Sequence, residues 1–241
     1  MEQFRKTGLI TGTTLASDDT IHMEVIEIAR EDATGPRRHP GSDMVALFLD
    51  GRGQLQSADR VSSFIGPRHV HVAAGSIYEI RNTGSSPIKM MYALCPNGVT
   101  EQLTEHAPSA SSGGATLLGI TRFDRFPDSG LVRGGMFFLE PGEEASYHSH
   151  EGAPEIFVFL SGICDVTTED KNVRVSAGDM VYVAPEMKHR LGNAGTERLV
   201  VWLTVTPNVT PSHTFYKPQP DGTWVRTTTH LDGKPILPPS A

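Results

Sequence analysis

The chain has 241 residues, of which 38% are hydrophobic and 20% are charged, as in an ordinary globular protein. Its 21 basic and 28 acidic residues give a formal charge of −7, which argues against a nucleic-acid partner and against docking on an anionic membrane. The chain has no apolar run of about 18–20 residues, no signal-peptide pattern at its start and only two cysteines, Cys95 and Cys164. We therefore expect a cytoplasmic protein with reduced thiols and no membrane partner.

Short alternating segments separated by turn residues recur along the whole chain, which holds 24 glycines and 17 prolines. No segment has the pattern of a long amphipathic helix, so the sequence predicts an all-β sandwich or barrel. The predicted strands are Thr20–Ala29, Met44–Leu49, Val70–Ala73, Pro87–Leu94, Leu131–Leu139, Glu155–Leu160, Met180–Ala184 and Leu199–Val205.

The chain also repeats itself at an offset of 111 residues, so that residues 20–96 align with 131–207 without a gap. Many of the identities fall on turns, where backbone geometry restricts the residue type. The repeat predicts two copies of one β domain of about 80 residues each. The predicted organisation is a first domain at 1–96, a linker at 97–119, a second domain at 120–207 and a proline-rich tail at 208–241.

Four potential metal ligands lie close together in the sequence of the second copy. His148 and His150 are two residues apart, so in a strand they share a face with Cα atoms about 6.6 Å apart. Glu155 begins the next predicted strand, and His189 follows a strand and a turn. Three imidazoles and one carboxylate form a donor set of intermediate hardness.

The spacing around these residues resembles that of the cupin superfamily. Its first motif, G-x5-H-x-H-x4-E-x6-G, runs from Gly142 to Gly162, and its second, G-x10-H-x3-N, runs from Gly178 to Asn193. The second motif departs in detail, since its proline is one place late and Met187 replaces the usual glycine. The resemblance implies two tandem double-stranded β-helix barrels, a bicupin. It also implies one metal, bound by His148, His150, Glu155 and His189.

The first copy lacks most of these ligands. At the offset of 111, Arg37, Met44 and Tyr78 stand in place of His148, Glu155 and His189, and only His39 remains. One imidazole does not hold a first-row metal against cellular competitors. The first barrel is therefore predicted to be degenerate, structural and metal-free. The alternative is an unconventional site formed by His39 with His69 and His71. The last two are two residues apart, so in a strand they would share a face.

Four protein ligands leave two positions of a six-coordinate ion open for a substrate. Fe(II) or Mn(II) is favoured, with Ni(II), Co(II), Zn(II) and Cu(II) as alternatives. The predicted pocket residues are Phe157, Phe159, Met187 and Leu191. Tyr182 and Glu186 are candidates for a catalytic base.

Three functions are compatible with such a site, because a fold alone does not name a reaction. The leading hypothesis is a dioxygenase acting on a small oxygen-rich metabolite. The second is a redox-neutral decarboxylase, lyase or isomerase. The third is a non-enzymatic sensor or small-molecule-binding module. Each has a small-molecule ligand, and the resemblance also allows a homodimer.

Overall fold

The computed structural model describes residues 4–58, 60–104, 114–122, 124–231 and 234–236. Every regular element in these ranges is a β-strand, which confirms the predicted all-β class. The described ranges contain no helix with the length and hydropathy needed to cross a bilayer. The chain divides into two compact units, one of residues 9–135 and one of residues 1–8 with 136–241.

The unit of residues 9–135 contains two antiparallel sheets. Its strands are β2 (Thr13–Ser17), β3 (His22–Ile28), β4 (Arg37–Arg38), β5 (Asp43–Asp50), β6 (Arg52–Ser57), β7 (Arg60–Ile65), β8 (Arg68–Val72), β9 (Tyr78–Asn82), β10 (Ile88–Cys95), β11 (Glu101–Gln102) and β12 (Ala115–Leu118). One sheet has the order β12-β8-β5-β10-β3-β2 and the other β11-β4-β9-β6-β7. Side chains from both sheets form its core, including Phe48, Val70 and Ile80.

The other unit is built in the same way. Its strands are β1 (Phe4–Gly8), β13 (Arg133–Leu139), β14 (His148–Ser149), β15 (Glu155–Ser161), β16 (Ile163–Thr168), β17 (Asn172–Ser176), β18 (Asp179–Val183), β19 (His189–Asn193), β20 (Leu199–Val205), β21 (His213–Pro218), β22 (Trp224–Leu231) and β23 (Lys234–Ile236). The sheets have the orders β1-β18-β15-β20-β13 and β17-β16-β19-β14-β21-β22-β23. Phe159, Val181 and Val201 are among the residues of its core.

The repeat seen in the sequence is also present in the topology. The bounds of β3, β4, β6, β8 and β9, shifted by 111, are those of β13, β14, β16, β18 and β19. The sheet order β8-β5-β10-β3 in one unit corresponds to β18-β15-β20-β13 in the other, and β4-β9-β6-β7 corresponds to β14-β19-β16-β17. The two units therefore share one strand arrangement, which is extended by different edge strands.

Two glycines at matching positions show why the repeat is strict at turns. Gly51 and Gly162 have φ values of +99° and +85°, which disfavour other residues. A Cβ at Gly51 would lie 2.8 Å from the Cα of Ile88, and one at Gly162 would lie 3.0 Å from the Cα of Leu199. Both turns therefore need glycine for its backbone conformation and for the close approach of a neighbouring strand.

All eight predicted strands overlap observed ones. The predicted linker 97–119 contains β11 and β12, each an edge strand of a different sheet in the unit of residues 9–135. Residues 105–113 lie outside the described ranges. Within the predicted tail 208–241, β21, β22 and β23 extend one sheet of the other unit. The domain boundaries drawn from the repeat remain a prediction.

Candidate metal centre

The four predicted ligands come from three strands and one strand end of a single barrel. His148 lies on the two-residue strand β14, where it pairs with His189 of β19 on one side and with Phe215 of β21 on the other. Glu155 is the first residue of β15, in the facing sheet of the same unit. His150 follows β14 directly, so the strand pairing brings distant parts of the sequence to one point.

The ligand atoms converge on one carboxylate oxygen. The Nε2 atoms of His150 and His189 each lie 2.8 Å from Oε2 of Glu155, and that of His148 lies 3.4 Å away. One ligand atom from each of the four side chains lies within 4.8 Å of the others. All four side chains are almost fully shielded from solvent. The structure therefore brings the four residues together in a group that could hold a metal ion.

Backbone carbonyls orient all three imidazoles through their Nδ1 atoms. Nδ1 of His148 lies 2.9 Å from the carbonyl of Ser146, and Nδ1 of His189 lies 2.9 Å from that of Met187. Nδ1 of His150 lies 2.6 Å from the carbonyl of Ser212. Because a carbonyl only accepts, each Nδ1 carries a proton, and Nε2 is left to act as the metal-binding atom.

The electrostatics of the cluster fit a cation. Burial alone would raise the pKa of Glu155, but the contacts with His150, His148 and His189 hold its pKa well below the ordinary value. Burial and the neighbouring His148 lower the pKa of His189, which favours its neutral form. Glu155 is therefore ionised, and its carboxylate lies beside three Nε2 atoms in a buried cluster. A divalent ion among these atoms would be bound by the carboxylate and by the imidazole nitrogens, so the donor set suits such an ion.

The four predicted pocket residues belong to the hydrophobic cluster of the same barrel. Phe157, Phe159 and Leu191 are at most 2% exposed, and Met187 is partly buried against them. The ring of Phe157 meets that of His189 edge-on, with centroids 5.7 Å apart. These side chains therefore form an apolar packing layer that begins at the candidate ligands.

The two predicted catalytic bases have different surroundings, and Glu186 lies beside the cluster, since its backbone N–H donates to the carbonyl of His150. Tyr182 lies on β18 between Val181 and Val183, whose side chains face the barrel core, so its own side chain points to the opposite face. There the guanidinium of Arg5 lies 5.9 Å from the centre of its ring. Glu186 is exposed, and its carboxylate accepts a hydrogen bond from the backbone N–H of Gly152.

Strand β21 brings a fifth histidine to the cluster, outside the ligand set predicted from the sequence. The ring of His213 lies 4.7 Å from that of His150 and 5.1 Å from that of His148, measured between centroids. It stacks on Phe215 at an interplanar angle of 17°. His213 and Phe215 are only partly buried, unlike the four candidate ligands. Nothing in the local sequence marked them, because only the pairing of β21 with β14 places them there.

The histidines of the first copy have separate partners. Nε2 of His39 lies 2.9 Å from the hydroxyl of Tyr78, and Nε2 of His71 lies 2.8 Å from Oδ2 of Asp43. His69 packs near Phe126, with ring centroids 5.5 Å apart. Within the described ranges, these three histidines are not part of a group of convergent ligand atoms.

Comparison with known protein families identifies one domain. Residues 135–206 match a family model described as a cupin domain. Among curated proteins, the chain is 25% identical over 135 residues to tetracenomycin polyketide synthase protein TcmJ of Streptomyces glaucescens, covering 56% of this chain and 80% of that protein. It is 28% identical over 127 residues to mannose-1-phosphate guanylyltransferase of Sinorhizobium fredii. That match covers 52% of this chain and only 22% of the relative.

Solved structures resemble the chain over most of its length. The salicylate 1,2-dioxygenase of Pseudaminobacter salicylatoxidans matches with a TM-score of 0.62 at 12% identity, covering 78% of this chain and 71% of that one. A mutant of oxalate decarboxylase OxdC from Bacillus subtilis matches with a TM-score of 0.60 at 13% identity, covering 84% and 76%. At these identities the likeness establishes the fold alone: an all-β chain with two tandem cupin barrels.

Proposed function

We propose that the chain is a metal-dependent enzyme acting on a small, oxygen-rich metabolite, with dioxygenase chemistry as the leading class. One observation carries the proposal. Three imidazole Nε2 atoms converge on Oε2 of Glu155, while backbone carbonyls hold the Nδ1 side of each ring. Such a buried arrangement has no evident structural purpose, because apolar side chains would pack there at lower cost.

In this proposal His148, His150, Glu155 and His189 hold the ion, and Fe(II) or Mn(II) suits their mixture of nitrogen and oxygen donors. When bound, an ion of this kind supplies Lewis-acid activation of oxygen ligands and, in the case of iron, one-electron chemistry with dioxygen. The carbonyls of Ser146, Ser212 and Met187 keep the three rings in one tautomer.

In this proposal, two groups of residues around the ligands have different roles in binding a substrate. Phe157 and its apolar neighbours exclude water below the cluster. His213 and Phe215, which are partly exposed, offer a hydrogen-bonding ring and a flat apolar surface on the solvent side. A planar substrate rich in oxygen atoms would find both kinds of contact there. TcmJ is named as a polyketide synthase protein, and β-diketone units of that chemistry fit this class of substrate.

The proposal also places the protein in the cytoplasm, acting on a small molecule, and allows a homodimer. Cys95 and Cys164 are both buried, and neither forms a disulfide. Burial raises the pKa of the Cys164 thiol to about 12, so it is a poor nucleophile. Buried thiols outside disulfides suit a reducing compartment.

The decisive experiment is metal analysis of the untagged protein combined with oxygen uptake. The substrates to test are enediols, β-diketones, catechols and keto acids. Bound iron with substrate-dependent oxygen consumption would support the dioxygenase class. Stoichiometric metal with turnover of a substrate in the absence of oxygen would instead favour a decarboxylase, lyase or isomerase.

A matched pair of variants makes the experiment specific. His148→Ala is expected to lose both the metal and the activity while the barrel stays folded, since apolar burial holds it together. His22→Ala removes a histidine of the other unit and should leave both unchanged. A protein that binds metal and ligand but turns over none of the substrates would favour the binding-module hypothesis. Absence of stoichiometric metal after reconstitution would contradict the proposal.

A further inference from the structure

Strand β7 lies at the edge of its sheet, because the order β11-β4-β9-β6-β7 ends with it. Just beyond the paired residues of β6 and β7, the N–H of Gly66 donates to the carbonyl of Gly51, which fixes the hydrogen-bonded positions of this hairpin. Hydrogen-bonded and non-hydrogen-bonded pairs alternate along an antiparallel ladder. The backbone N–H and C=O groups of Val61, Ser63 and Ile65 therefore point away from β6.

The side chains of the same residues are exposed. Val61 is 54% exposed and Ile65 is 57% exposed, and Ser63 between them is exposed as well. Phe64, which points to the other face, packs in the core of the barrel. In the part of the chain that the structure describes, β6 is the one strand that pairs with β7. This edge therefore presents apolar side chains together with open backbone groups, a combination that favours pairing with another strand.

Strand β17 holds the corresponding edge of the other barrel, and its outward residues are polar. At the offset of 111, the residues that replace Val61, Ser63 and Ile65 are Asn172, Arg174 and Ser176. The side chain of Arg174 forms two hydrogen bonds with the carboxylate of Asp165 on β16. A charged residue in the middle of an edge strand discourages pairing with another chain. The matching position in β7 is held by the uncharged Ser63, across from Gln54.

Side chains also occupy outward backbone groups of β17. The carbonyl of Arg174 accepts a hydrogen bond from Nζ of Lys6 at 3.1 Å. The N–H of Ser176 donates to Oδ2 of Asp179 at 2.8 Å. In the barrel that contains β7, the residue at the position of Asp179 is Arg68, whose guanidinium cannot accept a hydrogen bond. The two barrels share one strand arrangement, yet this edge is covered in one and left open in the other.

We propose that β7 pairs with β7 of a second copy of this chain, antiparallel and centred on Ser63. The outward pattern of apolar residue, serine and apolar residue reads the same in both directions. Val61 of one copy would therefore lie opposite Ile65 of the other, and Ser63 would lie opposite itself. Each of these pairs would exchange both N–H···O bonds, and the apolar side chains would meet on one face. The pairing uses both edges, so it closes as a two-fold dimer.

Charges at the ends of β7 support a second copy as the partner. In this register Arg60 lies opposite Gly66 of the other copy, and paired residues direct their Cβ atoms to the same face. A Cβ at Gly66 would lie 3.0 Å from the Cα of Asp50, so Asp50 stands on the face to which Arg60 points. Both charged residues are exposed. The two-fold arrangement therefore brings Arg60 of each copy towards Asp50 of the other.

The interface belongs to the unit of residues 9–135, and the proposal does not depend on the proposed function. A single strand pair is small next to a standard interface of roughly 1,600 Å², so we expect a weak dimer with a dissociation constant of about 1–100 µM. Sedimentation velocity of the full chain over roughly 1–500 µM would measure the association.

Ser63→Arg places two cations opposite each other on the two-fold axis and should weaken the dimer about tenfold. Asn172→Arg is the matched control, because it adds the same charge to an exposed position of β17, and should leave the association unchanged. Arg60→Asp should weaken the dimer about 3–10-fold, and the added change Asp50→Arg should restore it by reversing both ends of the ion pair. Recovery in the double variant separates an interface role from a folding defect.

Oxidative cross-linking tests the register. The Cα atoms of a hydrogen-bonded pair lie about 5.5 Å apart, within disulfide range, so Ser63→Cys should form a covalent dimer. Val61→Cys is the control, since its two copies would lie about 13 Å apart along the strands and should not link. A wild type that stays monomeric over the whole concentration range, or a dimer that Ser63→Arg leaves unchanged, would overturn the proposal. So would cross-linking of Val61→Cys in place of Ser63→Cys.

Discussion

Asn82 and Asn193 make the same three hydrogen bonds at positions 111 residues apart. Nδ2 of Asn82 donates to the carbonyls of Ile28 and Ser86, and its Oδ1 accepts from the N–H of Gly84. Nδ2 of Asn193 donates to the carbonyls of Leu139 and Glu197, and its Oδ1 accepts from the N–H of Gly195. One amide side chain thus fastens the same turn to the same neighbouring strand in each barrel.

We expect Asn193→Ala to lower the free energy of unfolding by about 2–4 kcal/mol, because it leaves buried backbone groups without partners. Asn82→Ala should have a similar effect on the other barrel. Urea titration followed by tryptophan fluorescence and circular dichroism would measure both. Asn97→Ala, at an exposed position, is the control and should change stability by less than about 0.5 kcal/mol. An equally small effect at Asn193 would show that the turn does not depend on its side chain.

The fifth histidine at the metal centre should be distinguishable from the four ligands. We expect His213→Ala to retain stoichiometric metal, because the ring of His213 lies outside the convergent group. Activity on the substrate, once found, should fall at least about tenfold through loss of a contact that positions it. His189→Ala should lose the metal itself. Metal loss in His213→Ala, measured by plasma emission, would make His213 a ligand and refute this assignment.

The residue before β21 also supports a ligand, since the carbonyl of Ser212 accepts from Nδ1 of His150. A chain that ends at Asn208 lacks this acceptor and is expected to bind metal about 10–100-fold more weakly. A chain that ends at Leu231 keeps β21 and β22 and should bind as the full chain does. Competition with a chelator would give both affinities, and thermal unfolding would reveal whether the shorter chain still folds. Equal affinities in the two truncated chains would contradict a supporting role.

The buried His69 should make stability depend on pH. Burial lowers its pKa to about 4, against the opposing charge of Asp124. The folded state therefore holds the ring neutral while the unfolded chain protonates it below about pH 6.5. The contribution of His69 to the free energy of unfolding is therefore fully present above that pH. It decreases by about 2–3 kcal/mol as the pH falls towards 4.

Between pH 7 and pH 4.5, the unfolding free energy of the wild type should fall by about 2 kcal/mol more than that of His69→Gln. Val70→Ala, on the same strand, removes apolar packing without a titrating group. It should lower stability by a similar amount at both pH values. Parallel pH profiles for wild type and His69→Gln would contradict the assignment to His69.

The sequence was most informative where geometry is local. The spacing of His148, His150 and Glu155 predicted their convergence, because one strand and one turn determine it. The eight predicted strands are long enough for alternation to be visible, whereas β4 and β14 have two residues each and leave no periodic pattern. Turn residues such as Asn82 and Asn193 carried the repeat, since their hydrogen bonds admit few substitutes.

Contacts set by strand pairing across long separations were not predictable. His213 reaches His150 because β21 pairs with β14. The carbonyl of Ser212, which contacts Nδ1 of His150, lies 62 residues further along the chain. Tyr182 was a candidate base, and strand alternation turns its side chain away from the core face. Both cases depend on register and pairing partner, which no short motif encodes.

The pairing of β1 with β18 makes one barrel discontinuous in sequence. Phe4 is 4% exposed and packs in the core of the unit formed by residues 136–241. On the ribosome, Phe4–Gly8 is made about 10–35 s before Asp179–Val183, at ordinary elongation rates of roughly 5–20 residues per second. During synthesis, β1 therefore cannot pair with β18 until the whole of the other barrel has been made. The two barrels consequently cannot be separated by a single cut in the chain without leaving one of them short of an edge strand.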